Sequence, residues 1–349
     1  MTSALYSHYI IDGIPQELTP ADILDSVMEP DAHPRHAGGP FDQIVDETSD
    51  PGFGLLNVDP AKVDEYLTLI SDARSDLPLA FSAEYTRAHI AATLIDTMWR
   101  LGNFRLEDLT LTVKWMWNDA FVCNMAAFYQ SVSATADYLD ALNLRLRRYS
   151  FEEGPISVRF ATALSRAPLK CGPVLQDDPQ SWLIYVPFDT SDYRLGGSLL
   201  AQRAGLKGGS APKVSDPDYF IDCFEVVREF VEDGVAIAGA TVCEGGLVNA
   251  LSSMASCETG AVIDLSDLMK ASDEKNVSRV LFAEVPGVIL QIRDMDFDYV
   301  DAEFLLQDVA FFPLGHPTPG TPGIHVKASA KSGIQTILES LLQNAEGED

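Results

Sequence analysis

Residues 215–251 read SDPDYFIDCFEVVREFVEDGVAIAGATVCEGGLVNAL and lay out a helix, a strand and a glycine turn in succession. Asp216 is a good N-cap, and Pro217 suits the first helical position because a proline has no backbone N–H to leave unpaired there. Phe220, Cys223, Phe224, Val227, Phe230 and Val231 fall on one stripe at helical spacing, and Gly234 ends it. Aromatics so spaced are core side chains rather than a ligand box. Residues 235–238 form an apolar strand, and Gly245-Gly246 stand where it hands over to a helix from Leu247. Glycines at such a place let backbone N–H groups approach an anion. Yet residues 239–251 contain no Lys, Arg, His or Asp, and Glu244 puts a negative charge beside the presumed anion seat. The turn has the shape of a phosphate site and lacks its charges.

Working outward, periodicity predicts helices over 84–100, 119–142 and 299–307, with an amphipathic one at 332–343. Strands are expected at 109–115, 155–164, 182–188, 261–264, 287–293 and 310–312, the last followed by a Pro/Gly break. Residues 1–50 are rich in Pro, Gly, Asp and His; they read as an extended arm, mostly loop, with one strand at 9–11. The pattern is that of an α+β protein in two lobes, 51–155 and 156–330, closed by a C-terminal helix and acidic tail over 331–349.

The chain of 349 residues carries 52 acidic and 24 basic side chains, a net charge of −28. That balance argues against a nucleic-acid surface, which needs clustered Lys and Arg. It reads first as a solvated acidic exterior, with a basic partner or a high-salt habitat as the alternatives. No run reaches the ~18 to 20 apolar residues of a membrane span, and the N-terminus lacks the pattern of a signal peptide. The cytosol is therefore the expected compartment, with an organelle as the alternative. Cys123, Cys171, Cys223, Cys243 and Cys257 form no C-x-x-C pair, which points to free thiols, with Cys123 and Cys223 buried on helices.

Several stretches together resemble the glutamine-dependent phosphoribosylformylglycinamidine synthases of purine biosynthesis, and more closely their second aminoimidazole-ribotide-synthetase-like half. They are LTLTVKWMW (109–117), LGGSLLAQ (195–202), the stretch 211–251 and FAEVPGVILQI (282–292). The resemblance spans roughly residues 50–326 in collinear order. It implies an N-terminal domain whose sheet forms half a barrel on dimerisation, a C-terminal α/β domain, and ATP with magnesium in the clefts. It also implies a partner, either a second copy or a related half, joined through the N-terminal domain.

Position by position, the family's charged groups are thin here. In the opening turn, Ala238, Gly239, Gly245, Gly246 and Leu247 match, but Ala240 and Thr241 stand where the family has His and the magnesium-binding Asp. On the helix ending near Trp99, the family's Glu and Asn positions are Ala92 and Asp96. The family's G-K-D-S turn corresponds to 147–154, where only Glu152 or Glu153 could take the place of the Asp. The expectation is a degenerate half-synthetase without catalysis, metal or resident cofactor. Gly196, Gly197, Ser198, Gly245 and Gly246 would be vestigial phosphate turns. The alternatives are a subunit of a split ATP-dependent synthase and an ATP- or phosphate-binding module without turnover.

Other constellations are weaker. His89 lies two turns from Asp96, a spacing that leaves a His/Asp metal pair open but reads first as a buried or surface histidine. His316 reads as structural, at a turn, and His33 and His36 as solvated. Arg145, Arg147 and Arg148 are the densest basic cluster; on a strand Arg145 and Arg147 would share a face.

Overall fold

The computed structural model describes residues 3–30, 41–45, 54–71, 73–118, 122–164 and 168–327. The chain opens with α1 (Ser3–Tyr6), β1 (His8–Ile11), β2 (Ile14–Pro15), α2 (Pro20–Asp25), β3 (Phe41–Val45) and α3 (Val63–Ile70). Next come α4 (Ser82–Leu101), β4 (Thr110–Trp117), α5 (Val122–Ala141), β5 (Arg145–Glu153) and β6 (Ser157–Thr162). They are followed by β7 (Trp182–Pro187), α6 (Leu199–Arg203), α7 (Pro217–Glu232), β8 (Ala236–Val242) and α8 (Gly246–Met254). The last are β9 (Thr259–Ile263), α9 (Ser266–Ala271), α10 (Val277–Phe282), β10 (Gly287–Ile292), α11 (Phe297–Leu306), β11 (Phe312–Pro319) and β12 (Ile324–Val326).

The largest sheet has six strands in the order β12-β9-β11-β7-β10-β8. Both of its faces are covered, which is why β7 and β10 are nearly continuous apolar runs rather than alternating ones. Ile184, Val186, Val288, Leu290 and Ile292 join one core with Phe220, Phe224 and Val227 of α7. Leu183, Tyr185 and Ile289 face the other, built from Leu247, Val248 and Leu251 of α8 and Val280 and Leu281 of α10. Helix α7 starts as the sequence predicts, with the Asp216 carboxylate accepting from the Tyr219 N–H at 3.0 Å.

A second sheet, β5-β4-β6, packs α4 and α5 on one face and, among the described residues, no helix on the other. Strand β4 alternates accordingly: Leu111, Val113, Trp115 and Trp117 are buried, while Thr110, Thr112, Lys114 and Met116 look outward. Strand β6 lies beyond the expected boundary at 155/156 yet belongs to this sheet. Strand β5 runs through residues 147–153, where the resemblance leads one to expect a turn. Its register pairs Arg145 with Thr110 and Arg148 with Thr112, with a shift between them that makes Arg147 the extra residue of a bulge. Arg145 and Arg148 therefore both stand on the outward face, and Arg147, also exposed, has no partner on β4.

Two further expectations are corrected. Residues 3–28 are folded rather than an extended arm: Leu5, Tyr9, Ala21, Leu24 and Val27 join the first core. A reciprocal capping box between Thr19 and Asp22 starts α2. Val27–Glu29 then runs along the outer edge of β5, with the Leu146 N–H donating to Val27 O (2.7 Å) and the Glu29 N–H to Leu146 O (2.8 Å). Strand β11 begins at Phe312 and continues through Gly315 and Pro317, so His316 sits within a strand opposite Val262, its Nδ1 2.9 Å from Ser181 O. The helix expected at 332–343, His33, His36 and the Cys123 side chain lie outside the described residues.

Candidate functional site

A cleft of about 860 Å³ opens between α4, β6 and the end of β8. Its wall includes His89, Ala92, Asp96, Thr241 and Glu244. The fold thus brings together Ala92, Asp96 and Thr241, which come from two helical turns and a strand some 140 residues later. A close approach makes this possible: a Cβ on Gly239 would lie 2.9 Å from Trp99 Cε3, so only glycine lets β8 press against α4. The same approach puts the Trp99 indole N–H within 2.8 Å of Thr241 Oγ1, to which it donates.

Thr241 in turn donates to Asp96 Oδ1 at 3.3 Å, and Arg100 Nε donates to the same oxygen at 2.9 Å. The Arg100 guanidinium lies over the Trp99 ring, 4.5 Å from its centroid. Asp96 is therefore held by a cation and a hydroxyl. His89 turns elsewhere: its Nε2 is 3.8 Å from Glu244 Oε1 and its Nδ1 3.5 Å from Val158 O. Burial lowers the His89 pKa, and the Glu244 carboxylate opposes that shift. Among the described residues, no group of three or more His, Cys, Asp or Glu side chains could hold a metal ion. Arg74 and Arg159 also line the cleft, both exposed, and among the described residues neither has an ion-pair partner.

The glycine turns lie behind this cleft and converge on one side chain that sequence reasoning missed. Glu284 is only 2 % exposed, and its Oε1 accepts from the Gly245 N–H and the Leu199 N–H, each at 2.8 Å. The N–H groups of Gly196, Ser198 and Gly246 go to the carbonyls of Ser210, Leu195 and Cys243. A protein carboxylate thus occupies the place where two helix starts meet. Gly245 and Gly246 have φ of 77° and 72°, and a Cβ on Gly246 would lie 2.6 Å from Leu281 O. Burial pushes the Glu284 carboxyl up to about 7; the N–H donors at Leu199 and Gly245 work against that, and nearby Glu244 adds to it. The signal available in the sequence was a lone Glu inside the apolar run FAEVPGVIL.

Glu152 and Glu153 do not line the cleft. Glu152 faces outward from β5 and pairs with Lys114 at 2.6 Å. Cys171 and Cys223 are buried free thiols, and burial raises both above the usual thiol range, Cys171 to about 12. No helix among the described residues is long and apolar enough to cross a membrane.

With the geometry in place, comparison with known proteins gives a consistent answer. Residues 182–294 match the family model described as AIR synthase related protein, C-terminal domain. The fold is similar to that of Thermotoga maritima PurL complexed with FGAR, with a TM-score of 0.52 at 12% identity over 70% of this chain and 41% of that one. Over residues 182–294 the chain is thus similar to AIR synthase related proteins. Among such proteins it is similar to phosphoribosylformylglycinamidine synthases. It is 25% identical to the human enzyme over 251 residues, covering 67% of this chain and 18% of the human one. It is 32% identical over 158 residues to the probable chloroplastic/mitochondrial enzyme of Arabidopsis thaliana, covering 45% and 11%. The chain thus spans less than a fifth of the length of these relatives.

Proposed function

We propose that the chain is a non-catalytic synthetase-like half that serves as an assembly partner, in the context of purine biosynthesis. The observation that carries this reading is the state of Asp96. It is the one carboxylate at the family's metal positions, and it is bound by Arg100 and Thr241 while Ala92 supplies nothing. Magnesium takes oxygen ligands, preferably carboxylates with free lone pairs. This donor set does not suit a magnesium–triphosphate group. The turns that would cradle phosphate have Gly245 and Leu199 already donating to Glu284, and a second anion there would meet a buried acid. Assembly is assigned to the β5-β4-β6 sheet, one face of which no helix covers among the described residues.

Isothermal titration with Mg-ATP tests the proposal. No heat of binding is expected at millimolar nucleotide; micromolar affinity would sink it. One observation favours a second reading, an anion-binding module without turnover: Arg74 and Arg159 line the open cleft and, among the described residues, have no carboxylate partner. On that reading ATP binds without magnesium dependence, and Arg159→Ala weakens it.

A further inference from the structure

The outward face of the β5-β4-β6 sheet differs in charge from the rest of the molecule. Its residues alternate with the buried ones and are set by register: Thr110, Thr112, Lys114 and Met116 on β4; Arg145, Arg148, Ser150 and Glu152 on β5; Ser157, Arg159 and Ala161 on β6. Four cations thus stand against one carboxylate, in a chain whose acidic side chains outnumber basic ones by 52 to 24. Arg145 is met from the end of α5 by Asp140 at 3.4 Å. Lys114 and Glu152 pair at 2.6 Å. Arg148 and Arg159 are exposed and, among the described residues, have no ion-pair partner. These side chains line a groove of about 410 Å³ together with Thr112, Ser150 and Ala161.

Lys114 and Arg159 are direct cross-strand partners in the antiparallel register. Like charges directly opposite on a sheet are destabilising. Glu152 relieves Lys114, and among the described residues no carboxylate pairs with Arg159 or Arg148. A repulsive pair built into an otherwise acidic surface is stabilised when carboxylates are laid over it. A second copy of this chain cannot supply them through the same face. An isologous contact sets each patch against a copy of itself, so the cations Lys114, Arg148 and Arg159 would face the same set of cations, with Glu152 the one carboxylate on each side.

We infer that this face docks a different polypeptide, one whose matching surface is lined with carboxylates, and that it selects against self-pairing. The inference rests on the proposed assembly through the β4–β6 sheet and names the chemistry of the partner. The test uses a charge-reversed copy as the acidic surface of matched shape: Lys114→Glu/Arg148→Glu/Glu152→Lys/Arg159→Glu, which keeps the internal ion pair inverted. Its folding is checked by circular dichroism, and Arg148→Gln/Arg159→Gln serves as the milder variant. In sedimentation velocity, wild type and reversed copy should each run as monomers, and their 1:1 mixture as a heterodimer. That heterodimer should weaken at least about tenfold between ~50 and ~300 mM salt, and the milder variant should bind the reversed copy about tenfold more weakly than wild type does. A wild-type homodimer abolished by Ala161→Trp would overturn the charge selection while leaving assembly through this sheet intact. A mixture that stays monomeric would overturn the docking face and the assembly reading together.

Discussion

The hub at Glu284 and the cleft at Asp96 adjoin at the β8–α8 turn, which gives Thr241 and Glu244 to the cleft and Gly245 to the hub, and they treat charge in opposite ways. The hub is dry: one carboxylate takes two backbone donors at helix starts and is almost completely buried. The cleft is wet: its carboxylate is met by an arginine on a side chain about as exposed as its own, 37% against 45%. In a dry site an unpaired group costs its full desolvation, whereas in a wet one water replaces the lost partner. Substitutions at the hub should therefore change stability, and substitutions in the cleft should change little but ligand affinity.

The largest expected effect is that of Glu284→Ala. It strands the N–H groups of Leu199 and Gly245 and leaves a void, a loss of about 3 to 5 kcal/mol in urea melts. A loss below ~1 kcal/mol would break the distinction between the two sites. Gly246→Ala comes next, because it combines a positive φ with a Cβ at 2.6 Å from a backbone oxygen; about 2 to 3 kcal/mol is expected.

Glu284→Gln sharpens the comparison through pH. Unfolded, the carboxyl titrates near 4.5; folded, it titrates at about 7. Between those values the folded chain holds the extra proton, so wild-type stability falls as pH rises from 4.5 to about 7, then levels. The glutamine variant lacks that slope, and its advantage over wild type should grow by on the order of 2 kcal/mol between pH 5 and pH 8. Parallel stability curves would refute the assignment. The smallest effect belongs to Arg100→Ala, expected within about 1 kcal/mol of wild type in the same melts. Its informative readout is calorimetry with manganese. Freeing Asp96 should leave binding weaker than millimolar if one carboxylate is too few.

Much of this was legible in the sequence wherever burial imposes a period. Helix α7 announces itself through Asp216, Pro217 and its apolar stripe, and β4 through strict alternation. The positions Ala92, Asp96 and Thr241 do meet in one cleft. The failures have physical causes. Strand β5 reads as RLRRYSFEE because its outward face is charged and the bulge at Arg147 interrupts the period of two. Strand β11 carries three prolines and a glycine at φ 143°, features that ordinarily mark a loop, yet it is paired on both sides. Glu284 was invisible as a hub because its partners are backbone groups 39 and 85 positions away.

The short segment Val27–Glu29 takes up both backbone groups of Leu146, near the start of β5. Among the described residues the rest of that strand's outer edge has no ladder partner, nor has the free side of β6, while β4 is interior. A chain joining this sheet by backbone pairing therefore meets an obstruction at one corner of β5 and none along β6, which makes β6 the easier margin to extend.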